Sequence, residues 1–289
     1  MLINNVNQLK EMLTACRLCP RHCGVDRTAG EFGKCGIGTE AKVSSAMPHF
    51  GEEAVLVGGG GSGTIFFSGC NLECVFCQNY DISQSTDGRA CSSREIAALG
   101  QRLAEAGCEN INFVTPTHVV HAVAEAILIV RSLGIKAPTV YNCGGYESVE
   151  VLGLLAGLID IYMPDFKYAD AERAKKYSGI ENYPAVATAA LAEMYRQAGP
   201  LELTKGGVAR KGVLVRHLVM PNDLAHSKAV IEIVARTAPG CTINVMGQYR
   251  PSYRAREYPE LMDYPLSRTI RSLREYAGAR GLKRNGVES

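Results

Sequence analysis

From Thr64 onward the chain alternates short apolar runs with longer stretches of helical periodicity. The runs TIFFSGC (64–70), NINFVTP (110–116), PTVYNCG (138–144), IDIYMPDF (159–166), VLVRHLVMP (213–221) and TINVMGQY (242–249) are rich in β-branched or aromatic residues, which predicts six strands. Ser92-Ser93-Arg94-Glu95 offers a capping box ahead of Ile96, Leu99 and Leu103 on one helical face, with Gly107 as a stop. Val119, Val123, Ile127 and Val130 line a second helix ending near Gly134, and residues 224–238 and 266–277 predict two more.

Strands alternating with helices imply a parallel sheet with right-handed crossovers. An incomplete barrel and an open doubly wound sheet both fit that order, and in either the ligands gather at the carboxyl ends of the strands. Polar residues fall where that rule wants them. In IDIYMPDF, Ile159, Ile161, Met163 and Asp165 share a face, and only the carboxyl-end member is charged. Asn142 closes PTVYN and Thr115 closes NINFVT.

The first 47 residues differ: they hold four cysteines and little apolar periodicity. Residues 48–63 include the glycine-rich GGGGSG and read as a flexible connection into the first strand. The chain therefore divides into a Cys-rich metal-binding segment (1–47) and an α/β body (48–289).

Composition narrows the function classes. A formal net charge of +2 on 289 residues gives no electrostatic footprint for nucleic acid. The opening MLINNVNQLKEML lacks the pattern of a signal peptide, and no apolar run of about 18 residues suggests a membrane span. Eleven cysteines without a secretory signal point to metal or redox chemistry in the cytoplasm rather than to disulfides.

The sharpest chemistry lies in GCNLECVFCQNY, where Cys70, Cys74 and Cys77 follow a strand and no fourth cysteine continues the spacing. Electron-carrying [4Fe–4S] clusters take one thiolate per iron, so three thiolates would leave one iron open, as catalytic metal sites do. On spacing alone, buried thiols or a zinc site closed by a distant ligand also fit. Residues 16–36 carry Cys16, Cys19, Cys23 and Cys35, a set able to close a tetrahedral zinc site or to hold an all-Cys cluster. Cys91, Cys108, Cys143 and Cys241 have no paired spacing and read as buried thiols.

Cys70-Asn71-Leu72-Glu73-Cys74-Val75-Phe76-Cys77 resembles the C-x3-C-x2-C signature of radical S-adenosylmethionine enzymes. SGTIFFSGC, VTPTH (114–118), DIYMPDFKY (160–168) and RHLVMP (216–221) resemble the homologues of pyruvate formate-lyase activating enzyme. The resemblance implies a partial (β/α)6 TIM-like barrel of parallel strands. It also implies a [4Fe–4S] cluster on Cys70, Cys74 and Cys77, and S-adenosylmethionine chelating the open iron. Reductive cleavage to a 5′-deoxyadenosyl radical and hydrogen abstraction would follow, an oxidoreductase-type chemistry fed by an electron donor such as flavodoxin or ferredoxin. The substrate would be a protein or a small molecule; a glycine of a partner protein is the version nearest the family name.

The same resemblance places Phe76, Thr115, Thr117, Asn142, Met163, Asp165 and Arg216 around the cofactor. Asp165 and Arg216 also fit a structural ion pair at the barrel rim. Activating enzymes carry Gly-Gly-Glu where this chain reads Thr115-Pro116-Thr117-His118, and an Asp where it has Asn142. CxLCPxxC openings like that at Cys16–Cys23 occur in relatives without identifying the metal. A different function, an iron–sulfur electron carrier or redox sensor without S-adenosylmethionine turnover, predicts a fourth ligand to the Cys70 set.

Overall fold

The computed structural model describes residues 2–284. Its first half contains α1 (Leu2–Glu11), β1 (Ala41–His49), α2 (Ala54–Val57), β2 (Ser62–Phe67), α3 (Tyr80–Ser83), β3 (Arg89–Cys91), α4 (Ser93–Glu105), β4 (Ile111–Val114), α5 (Val120–Ser132) and β5 (Thr139–Cys143). There follow α6 (Val149–Leu154), β6 (Ile161–Pro164), α7 (Ala171–Ser178), α8 (Tyr183–Ala198), β7 (Glu202–Leu203), β8 (Ala209–Leu218), α9 (Ser227–Thr237), β9 (Thr242–Met246), α10 (Ser267–Ala279) and β10 (Lys283–Arg284).

The six predicted strands are β2, β4, β5, β6, β8 and β9, and they pair in parallel in that order. An order that never reverses is the winding of a barrel; a doubly wound sheet would turn back at a switch point. The fold is thus α/β with the barrel topology. At one margin β1 pairs antiparallel with β2 and β3 with β1, and at the other β10 continues parallel to β9.

Local chemistry sets the helices. Ser92 and Glu95 exchange the reciprocal bonds of a capping box at the start of α4, and Ile96 and Leu103 are buried. Helix α5 buries Val123, Ile127 and Val130 and packs beside α4 and α1. Helices α6 and α7 begin at capping residues, with Ser148 and Asp170 side chains accepting from the Val151 and Arg173 amides.

Two expectations change at the amino-terminal side. Strand β1 runs across residue 47, and α1 buries Val6 and Leu9 against α5 and α6, so the first 49 residues include elements packed on the barrel. The glycine run is not a flexible connection. The Glu109 carboxylate accepts the Gly59 and Gly60 amides, and a Cβ on Gly60 would lie 1.8 Å from the Gly107 carbonyl oxygen. Only glycine lets the two backbones approach that closely.

The barrel bore divides by polarity. Val55, Leu56, Val140, Ile161, Met163, Ala209 and Leu214 form an apolar plug separate from the main core. Beyond it, Asn142, Asp165 and Arg216 face the carboxyl end. No described helix is long and apolar enough to cross a membrane.

Candidate active site

Strand β2 ends at Phe67, and the chain turns at Gly69 with φ of 79° into the cysteine loop. Cys70, Cys74 and Cys77 line one cavity of about 260 Å³ together with Phe76, Thr115, Asn142, Asp165, Lys167 and Arg216. The cavity adjoins an open cleft of about 1220 Å³ running toward α10, and Arg216, Met246 and Gln248 line both.

Each of the three sulfurs has a hydrogen-bond partner. The Leu72 amide donates to Cys70 Sγ (3.4 Å), the Ser178 hydroxyl to Cys74 Sγ (3.0 Å), and Cys77 Sγ lies 3.2 Å from Ser83 Oγ. Burial pushes the Cys70 and Cys74 thiols up, and the Lys167 charge opposes it at both. Such thiols shed their protons only to a cation, and donors aimed at sulfur then tune the bound metal. Three soft ligands on one cavity fit the open-cornered cluster that the sequence predicts.

Next to the thiols lies a charge network. Arg216 donates from Nε to Asp165 Oδ1 (2.9 Å), from Nη2 to Asn142 Oδ1 (2.7 Å) and from Nη1 to Glu52 Oε1 (3.3 Å). Lys167 Nζ donates to Asp165 Oδ2 at 2.7 Å. Burial raises the Asp165 carboxyl, but the Arg216 and Lys167 charges outweigh it and hold the group below its ordinary range. Arg216 and Lys167 thus stand paired against Asp165 and Glu52 at this end of the bore.

Phe76, Thr115, Asn142, Asp165 and Arg216 therefore come together around the cavity. Thr115 sits there with φ of 59°, a left-handed conformation uncommon for a threonine. Two predicted residues lie elsewhere. Met163 pairs with Asn142 in the ladder, but it is fully buried in the apolar plug and does not line the cavity. Thr117 is buried in a single turn after β4, and its hydroxyl donates to Glu147 Oε1 at 2.7 Å.

The sequence reading missed Glu52 and Glu147. Glu52 accepts from Asn112, Asn142 and Arg216 inside the bore, although it belongs to the stretch read as a linker. Glu147 is buried under Thr117 and Tyr141, and burial pushes its carboxyl up to about 7 against their hydrogen bonds. A carboxylate beside an apolar run is the signal both offered. His118 and His217 are buried beside backbone carbonyls of Ser68 and Phe166 and stay out of the cavity.

The amino-terminal cysteines form a second group against the back of the loop. The Cys16, Cys19, Cys23 and Cys35 thiols act electrostatically on one another. Among the described residues, no three Cys, His, Asp or Glu side chains stand close enough to share a single metal ion.

A parallel barrel that collects three thiols and a buried charge network at its mouth has the build of a metallocofactor enzyme. The profile of the Radical SAM superfamily matches residues 64–221, more than half of the chain, and the protein belongs to that superfamily. Its members work with a [4Fe–4S] cluster and S-adenosylmethionine. The chain is 34% identical over 263 residues to uncharacterized protein MJ0674 of Methanocaldococcus jannaschii, covering 87% of this chain and 71% of the relative. Among solved structures it resembles Streptococcus suis SuiB bound to precursor peptide SuiA, with a TM-score of 0.50 and 12% identity. That match covers 76% of this chain and 47% of SuiB, so the chain spans about half of that protein's length and the likeness is one of fold.

Proposed function

We propose that this enzyme holds its [4Fe–4S] cluster on Cys70, Cys74 and Cys77, and that it removes a hydrogen atom from a substrate entering by the adjoining cleft. The observation that carries the reading is the convergence of three hydrogen-bonded thiols on a cavity whose opposite wall is charged. When bound, cluster and S-adenosylmethionine together supply the 5′-deoxyadenosyl radical for that abstraction.

The chain's own residues divide the remaining work. The three cysteines leave one iron corner without a protein ligand. Asn142, Asp165 and Arg216 hold the polar end of the cofactor, and Phe76, packed against Tyr168 and Tyr249, gives the loop a rigid apolar backing. Thr115 occupies the place where activating enzymes have Gly-Gly-Glu, so a hydroxyl stands where they have a carboxylate.

The glycyl-radical version, abstraction from a glycine of a partner protein, draws its support from the resemblance to activating enzymes, with flavodoxin or ferredoxin as the electron donor. The open cleft of about 1220 Å³ is large enough for a polypeptide segment as well as for a small molecule. Anaerobic reconstitution with iron and sulfide, then reduction with S-adenosylmethionine present, tests the core reading. Release of 5′-deoxyadenosine supports it. A cluster-loaded, reduced protein that releases none is an electron carrier instead.

A further inference from the structure

The amino-terminal cysteines are more than a metal-binding motif in sequence, because each sulfur is addressed by a donor. The Arg21 amide bonds to Cys19, the Ile37 amide to Cys35 and the Lys34 amide to Cys23 Sγ at 3.4 Å. Arg27 Nη1 reaches Cys16 Sγ at 3.8 Å, and its guanidinium is almost wholly buried, donating also to the Gly38 and His118 carbonyls. The amides of Arg21 and Ile37 stand two residues after their cysteines, as Leu72 does after Cys70. Donors aimed at sulfur suit a thiolate that carries metal charge.

The backbone gathers the four thiols into one neighbourhood. The Gly24 amide donates to the Cys16 carbonyl at 3.0 Å and the His22 amide to the Cys19 carbonyl at 3.1 Å, which folds the Cys23 end of the loop back beside the other two. The Lys34 amide on Cys23 Sγ brings in the adjacent Cys35. Four soft ligands can close a zinc site or hold an all-Cys cluster, and a redox centre next door favours the cluster.

The two groups are separate yet locked together. The thiols acting on Cys70 are Cys74 and Cys77, not the amino-terminal four. A Cβ on Gly69 would lie 2.7 Å from the Cys35 carbonyl oxygen, so the α-carbons of Cys35 and Cys70 are within roughly 10 Å. Arg21 Nε donates to the Asn71 carbonyl at 2.9 Å, and Glu73 pairs with Lys34 at 3.0 Å. Cys23 and Cys35 are partly exposed, which gives an outside reductant a way in.

We propose that Cys16, Cys19, Cys23 and Cys35 hold a second, fully ligated [4Fe–4S] cluster that passes electrons to the one at Cys70, Cys74 and Cys77. The relay part of this rests on the radical S-adenosylmethionine reading of the Cys70, Cys74 and Cys77 site. One electron enters from a low-potential iron–sulfur or flavin protein, reducing the amino-terminal cluster by one unit. The same electron then moves to the inner cluster, and the outer one returns to its oxidised state.

The test uses the full chain with Cys70, Cys74 and Cys77 all replaced by Ala, reconstituted anaerobically with iron and sulfide in the presence of zinc. The proposal expects about four irons and four sulfides per chain and a reduced-state paramagnetic signal indifferent to S-adenosylmethionine. One zinc per chain, or no metal, overturns it. If this variant does not fold, the wild type answers: about eight irons per chain support the second cluster and about four overturn it. Whether part of the wild-type signal responds to S-adenosylmethionine tests the inner site on its own, so the two failures are distinguishable. For the relay, Cys16→Ser/Cys19→Ser/Cys23→Ser should keep dithionite-driven 5′-deoxyadenosine release and lose most of the release driven by reduced flavodoxin. Equal loss, or no loss, with both reductants overturns the relay.

Discussion

Arg216 and Asp165 meet twice where neighbouring strands reach the barrel mouth, through a backbone bridge and through an ion pair at 2.9 Å. The pairing fixes the depth at which both side chains stand, because β8 has Arg216 one ladder step from the end of β6. Arg216→Ala would leave Asp165 to Lys167 and take from Glu52 the one cation that pairs with it among the described residues, which costs about 3 kcal/mol for a largely buried pair. Arg216→Lys keeps the charge but cannot reach Asp165, Asn142 and Glu52 together, since an ammonium lacks the planar fork. Urea unfolding should therefore rank wild type above Lys above Ala. Cofactor cleavage should fall by an order of magnitude or more in both variants. Full cleavage activity in Arg216→Lys would show that the fork does not position the cofactor.

Ser178 is the hydroxyl donor to Cys74 and also bonds Tyr168, both wholly inside the protein. Ser178→Ala removes one donor from a cluster sulfur and leaves the three ligands in place. Less compensation of sulfur charge disfavours the reduced cluster, so its potential should drop by tens of millivolts with iron content unchanged. A redox titration followed by paramagnetic resonance reads the shift directly. An unchanged potential would mean the Ser178 hydroxyl points elsewhere once metal is bound.

Much of this site was legible because motif and topology agree. The spacing at Cys70, Cys74 and Cys77 follows a predicted strand, and Asn142, Asp165 and Arg216 lie at predicted strand ends, so the parallel order alone gathers them. Met163 escaped because alternation tells which face a residue takes and says nothing of what covers it: it pairs with Asn142 in the ladder, yet the apolar plug buries it. Glu52 escaped for a different reason. Its partners Asn112, Asn142 and Arg216 are distant in sequence, and its own surroundings, Gly51 and a glycine run, imitate a linker.

That glycine run gives a paired stability test. A Cβ on Gly60 would lie 1.8 Å from the Gly107 carbonyl oxygen, whereas one on Gly59 meets nothing within 4 Å. Gly60→Ala should cost upward of about 2 kcal/mol by overpacking two backbones, and Gly59→Ala should be close to neutral. Thermal unfolding of the two variants side by side measures the difference. Equal, small effects would restore the flexible connection that composition suggested.

Glu147 supplies the pH dependence. Its carboxyl accepts from Thr117 at 2.7 Å and Tyr141 at 3.0 Å, but burial dominates and raises it to about 7. Unfolded, the same group titrates near 4.5. Between those two values the native chain keeps a proton that the unfolded chain releases. The stabilisation is therefore complete below the lower value and lost as pH rises through the upper one, about 3 kcal/mol over the window. Buried His217, with Nδ1–H donating to the Phe166 carbonyl and Nε2 accepting from Ser227, is lowered to about 4 and slopes the opposite way below 6.5. Its contribution is common to both proteins in a Glu147→Gln comparison and cancels. The glutamine keeps an acceptor for Thr117, offers an amide to Tyr141 and carries no proton to lose. Its urea midpoint relative to wild type should rise from about pH 5 to about pH 7.5 as the wild type acquires a buried charge. A midpoint difference that stays constant across that range would mean Glu147 does not titrate there.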